Sequence, residues 1–157
     1  MTLADLVGQQ RLRAHRTSAR EIADLFSVAD LALRDAVVEG LSSDRRFGAA
    51  YDAVRSLATA ALACRGYRPT GSSQHATVFE ALPEVLGPEA LELSQYFDTC
   101  RIKRNTSEYR RAHSVSDTEA EELLTKAHEF RAWVRAWISE RYPELAPPAT
   151  DDLGGEQ

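Results

Sequence analysis

Between positions 98 and 113 the chain concentrates positive charge. Arg101, Lys103, Arg104, Arg110 and Arg111 are set against only Asp98 and Glu108, in a protein whose net charge is −5. Cations gathered in this way could hold phosphate, and the planar fork of arginine suits that task best. The acidic balance of the whole chain argues against a protein that coats nucleic acid along its entire surface. One cation stands out by its position. Leu93, Phe97 and Cys100 mark an apolar stripe at spacings of four and three, and the next place on that stripe is Arg104. A bare charge in a core is costly, so Arg104 must meet a partner or mark where the stripe reaches a cleft or an interface. Asn105 follows it directly, and Tyr109 comes about one turn later. The plainest account pairs Arg104 with Glu108 at i+4 and makes Tyr109 a half-buried aromatic whose hydroxyl bonds across to a neighbouring helix. That account does not explain why an arginine replaces an apolar residue.

Other candidates are weaker. His113 is separated from Arg104 by eight residues, about 13–14 Å along a continuous helix, which is too far for joint chemistry unless the helix breaks. Arg68 and His75 have six residues between them but flank a Pro-Gly-Ser loop, and their spacing is read as coincidence. Arg11, Arg13, Arg16 and Arg20 form a second basic cluster, read as solvated surface, as are His15 and His128. Cys64 and Cys100 each fall within a predicted helix and read as buried reduced thiols. Two cysteines without a paired histidine motif make no zinc site, so neither metal nor cofactor is expected. The sequence has no glycine loop to cradle a nucleotide and no serine or cysteine triad pattern, which disfavours a self-contained hydrolase or kinase.

The elements that must carry these residues are helical. Ser18-Ala-Arg-Glu21 has the spacing of a capping box, after which Ile22, Leu25, Phe26, Ala29, Leu33, Ala36 and Val37 define one apolar face. A second helix is predicted over about 44–65, rich in alanine and stopped by Gly66. Residues 67–73 read as a loop. A third, short helix over about 74–86 is kinked by Pro83. A fourth spans about 88–112, opened by Pro88. The last opens near Ser116 with a second capping box ending at Glu119. Its seam of Ala120, Leu123, Ala127, Phe130, Val134 and Trp137 is the strongest periodic signal in the chain. No segment alternates with period two, so no sheet is expected. The reading is therefore an all-α fold, an up-and-down bundle of four or five helices. Residues 1–17 form an N-terminal extension, 18–143 the bundle and 144–157 a disordered acidic tail. No apolar run is long enough to span a membrane, and the first residues lack the pattern of a signal peptide, so a cytoplasmic location is expected.

The run from Arg101 to Arg110 resembles the HEPN superfamily of helical bundles over about residues 18–140. The long helix before it, the segment from His75 to Leu82, the alanine-rich helix ending in Gly-Tyr and the Val115-Ser116-Asp117 lead into an acidic last helix carry the same resemblance. The resemblance implies a homodimer. It also implies a role beside a nucleotidyltransferase in a toxin–antitoxin or defence system, as an RNA- or nucleotide-associated regulatory module. An alternative it implies is a metal-independent endoribonuclease toxin, and a third reading is a structural protein-binding adaptor. Many members carry an arginine, a following polar residue and, after four to six intervening positions, a histidine. Carried over, Arg104 and Asn105 match the first two, and Tyr109 stands where the histidine would be. An unperturbed phenol, with a pKa of about 10, is a poor base near pH 7. The resemblance thus makes Arg104, Asn105 and Tyr109 the candidate catalytic set, with Arg101, Lys103, Arg110, Arg111 and His113 as binding residues. It further suggests that the Tyr109 hydroxyl is what a partner enzyme modifies with a nucleotide.

Overall fold

The computed structural model describes residues 1–109 and 114–148, with 106–109 followed by backbone only. Helix α3 (Ser43–Cys64) is the element on which the rest is built. Its alanines leave little side-chain bulk, so neighbours approach closely, and it is buried on several faces rather than along one stripe. Helices α2 (Ala19–Asp35), α6 (Leu91–Tyr109) and α7 (Asp117–Arg141) all pack against it. The expected all-α bundle is what forms. A row of rings crosses its centre: Tyr51 on α3, Phe79, Phe97 on α6 and Phe130 on α7, with successive centroids 5.9, 5.6 and 5.0 Å apart. Tilted and edge-on contacts of this kind add to the energy of simple burial.

Helix starts follow from local chemistry. Ser18 caps α2 by accepting from the Glu21 amide, but Glu21 turns to His15 and Thr17 instead of completing the box. At Ser116 the box is complete, with the Ser116 hydroxyl accepting from the Glu119 amide at 3.0 Å and the Glu119 carboxylate accepting in return at 2.9 Å. The predicted third helix is two pieces, α4 (Gln74–Glu80) and α5 (Leu82–Leu86), because Pro83 falls in the first turn of α5. Gly87, at φ +112°, then turns the chain through a 3-10 segment into α6.

Four expectations are corrected. Residues 1–17 are not a free extension. Helix α1 (Leu3–Gly8) and strand β1 (Leu12–Ala14) bury Leu3, Leu6 and Leu12 in the core. Residues 67–69 are not loop but strand β2 (Tyr67–Pro69), antiparallel to β1 with Leu12 opposite Pro69 and Ala14 opposite Tyr67. Three-residue strands are too short to show alternation, and their pairing is not local. Arg11, read as solvated, fastens this segment to α4 by donating to Thr77 at 3.1 Å and Glu80 at 2.5 Å. Finally, the start of the expected tail is ordered against the bundle. Pro143–Leu145 form a 3-10 turn, and Leu145 and Ala146 pack on the core. Residues 149–157 lie outside the described residues. Among the described residues, no helix is long and apolar enough to cross a membrane.

Candidate functional site

Helix α6 changes character along its length. Phe97 and Cys100 are buried, and one turn on the stripe ends at Arg104, whose side chain is 26% exposed. The guanidinium reaches across to α3, where Nη1 donates to Asp52 at 2.8 Å. It lies over the ring of Tyr51, 5.4 Å from the centroid. Gly48 lies against it: a Cβ there would stand 3.5 Å from Arg104 Nε, an ordinary van der Waals contact. The partner that the stripe demanded is thus Asp52, 52 positions away in sequence. Arg104 also lines an open groove of about 660 Å³ with Asp35, Asp44, Asp52 and Arg45. Carboxylates outnumber cations there, so this side of the guanidinium does not favour an anion.

The adjoining flank of α6 is different. Arg101 and Asn105, one turn apart, share a cleft of about 480 Å³ with the 71–76 segment, including His75 at the start of α4. Arg101 Nε donates to Asp98 at 2.7 Å, which aims the side chain. The His75 ring lies 6.3 Å from that of Tyr51. Its imidazole is held below the ordinary histidine value, first by burial and then by the charges of Arg55 and Arg104, with Asp52 opposing. It is therefore mainly neutral at pH 7. Tyr51 is pushed up to about 12 by burial, and its hydroxyl is buried without a hydrogen-bond partner among the described residues. It cannot act as a base near neutrality.

Three of the remaining candidates point elsewhere or carry no unusual chemistry. Lys103, on the far side of α6, pairs with Glu119 at 3.2 Å. Cys64 and Cys100 are buried and unpaired, with their thiols pushed up to about 12 by desolvation. Tyr109 is the last residue of α6, where only the backbone is described. Arg110, Arg111 and His113 lie outside the described residues. No group of three or more His, Cys, Asp or Glu able to hold a metal occurs among the described residues.

The HEPN_SAV_6107-like HEPN family model matches residues 37–135, well over half of the chain. The chain belongs to the HEPN superfamily. Neither a curated protein nor a solved structure matches it.

Within this HEPN domain the stretch 101–105 is divided between two faces of α6, one acidic and one basic. Sequence reasoning found Arg101, Arg104 and Asn105 but missed their surroundings: Asp52, Tyr51, Gly48, Arg55 and His75. Asp52 and Arg55 had one available signal, being charges on an otherwise alanine-rich helix. His75 and Arg68 are joined by a turn-forming loop, which hides their relation in the sequence. The short β1–β2 ribbon fixes that loop, and both residues line one cavity.

Proposed function

We propose that this HEPN domain is an RNA-associated binding and regulatory module, dimeric, working beside a nucleotidyltransferase in a toxin–antitoxin or defence system. The observation that supports the reading best is the cleft in which Arg101 and Asn105 of α6 meet His75 of α4. Arginine supplies a forked phosphate donor, the Asn105 amide can read a ribose or base edge, and a neutral imidazole can accept a proton. Arg104, bound to Asp52, acts on the cleft through its charge, which reaches His75. Lys103 and, next in sequence after α6, Arg110 and Arg111 add to the positive charge of this stretch, and His113 follows them. Tyr109 is the hydroxyl offered to the partner enzyme. A second copy or a partner protein would cover exposed Val28 and Leu31 on α2 and Val38 in the turn after it, where the acidic groove begins.

Binding of a short single-stranded RNA, followed by fluorescence anisotropy, tests the cleft. Arg101→Ala and Asn105→Ala should each weaken it about tenfold, and the affinity should fall steeply with salt. Unchanged binding in both variants would remove the cleft from the reading. Co-expression with a nucleotidyltransferase should raise the mass of the Tyr109-containing peptide.

A second reading, an endoribonuclease, is favoured by the neutral His75 beside Arg101, an arrangement in which a base sits next to a phosphate donor. It requires RNA cleavage over about pH 6–9 that His75→Ala abolishes. Intact RNA across that range would eliminate it and leave the binding reading in place.

A further inference from the structure

His75 is a wall shared by two cavities. Behind it, away from Arg101 and Asn105, lies a second space of about 270 Å³ enclosed by the lead-in to α2, the middle of α3, β2 and α4. Two guanidiniums, Arg55 and Arg68, and two imidazoles, His15 and His75, line it against one carboxylate, Glu21. That carboxylate is already engaged. The Thr17 hydroxyl donates to it at 2.6 Å and His15 Nε2 lies 2.7 Å away. It is held below the usual glutamate value by Thr17 first, with His15 and the charge of Arg68 adding to the effect. The lining therefore keeps an excess of positive charge that its own residues do not neutralise.

Arg55 makes the site specific. Its Nε is buried and has no hydrogen-bond partner among the described residues, and its Nη2 comes no nearer than 4.0 Å to Asp52. The outer nitrogens of the fork, on a side chain 38% exposed, are the ones that can meet a tetrahedral oxyanion in the cavity. Arg68 projects from the exposed position of β2, opposite Arg13 in the ribbon. The Glu21 carboxylate fixes the His15 ring through Nε2. The volume is just below the roughly 300–1,000 Å³ of common small-molecule sites. It suits one phosphate and a sugar ring, and it is too small for a strand of RNA or a peptide.

We propose that this cavity binds a small phosphate monoester no larger than a phosphorylated sugar, with Arg55 and Arg68 holding the phosphate and His15 and His75 flanking it. The site is separate from the RNA cleft and stands whether or not that reading survives. Isothermal titration calorimetry at low salt with ribose 5-phosphate, ribose and inorganic phosphate tests it on the full chain. Ribose 5-phosphate should bind, ribose should not, and inorganic phosphate should bind at least several-fold more weakly than the ester. Arg68→Ala, an exposed change that leaves the fold intact, should weaken ester binding at least tenfold. Arg55→Lys, which keeps the charge but loses the fork, should weaken it by a smaller factor. Arg68→Ala should leave RNA binding unchanged, while Arg101→Ala should leave ester binding unchanged. No heat with ribose 5-phosphate at millimolar concentration would overturn the proposal. So would equal affinity for ester and inorganic phosphate, or binding indifferent to both arginine substitutions in chains whose melting is unaltered.

Discussion

Helices α6 and α7 lie against the same central helix, yet they are built to different ends. In α7 the apolar seam runs unbroken from Ala120 through Leu123, Ala127, Phe130 and Val134 to Trp137, every one of them buried. Its start is locked by a complete capping box. In α6 the seam holds through Phe97 and Cys100, and then polar chemistry takes over, with Arg104 facing Asp52 and Arg101 and Asn105 facing His75. Where packing continues, the helix contributes stability. Where it stops, side chains are free to do something else.

That contrast can be broken most forcefully in α7. Phe130→Ala removes the ring at the end of the aromatic row and should cost about 3–5 kcal/mol in a denaturant melt; a loss near that of a surface change would mean the row is not a packed unit. Ser116→Ala deletes the cap and should cost about 1 kcal/mol by the same measurement. In α6 the expected effects are smaller. A double-mutant cycle between Arg104→Ala and Asp52→Ala should give a coupling of roughly 0.5–1 kcal/mol, since both side chains keep contact with solvent. A coupling of several kcal/mol would make Arg104 a core strut like Phe130. Least of all, Tyr51→Phe on α3 should change stability by under about 0.5 kcal/mol, or raise it, because the hydroxyl removed has no hydrogen-bond partner among the described residues.

The titration of His75 sharpens the same contrast. Its pKa in the folded chain lies below the ordinary value, so the unfolded chain takes up the proton first. This contribution favours the folded state near neutrality and is withdrawn as pH falls through the unfolded value toward the folded one. An NMR titration of the His75 ring should show a midpoint below about 6.5, and Arg55→Ala should move it upward. A midpoint at or above the ordinary value would detach His75 from the surrounding guanidiniums.

The sequence displayed what is periodic. The α7 seam, the two N-terminal serines and the breaks at Gly66, Pro83 and Gly87 were all legible, because they follow from local rules of spacing, capping and backbone geometry. The anomaly of Arg104 was legible too, as a charge in an apolar register. Its partner was not, for Asp52 lies on another helix and nothing local relates the two. The β1–β2 ribbon escaped for a similar reason: three residues per strand carry no readable alternation, and the pairing joins segments more than fifty positions apart. With the ribbon unseen, the loop between Arg68 and His75 looked unconstrained, and the cavity both residues line could not be anticipated.

That ribbon gives the first residues of the chain a hold on distant chemistry. Arg11 grips Thr77 and Glu80 on α4, and β1 pairs with the strand that carries Arg68, so the opening segment braces both sides of the turn leading to His75. The family match begins only at residue 37. A chain shortened to that span would lose α2 from its packing against α3 as well as the clasp, and His15 and Glu21 with them. Binding studies on such a fragment would report on a domain whose phosphate-facing turn had been let go.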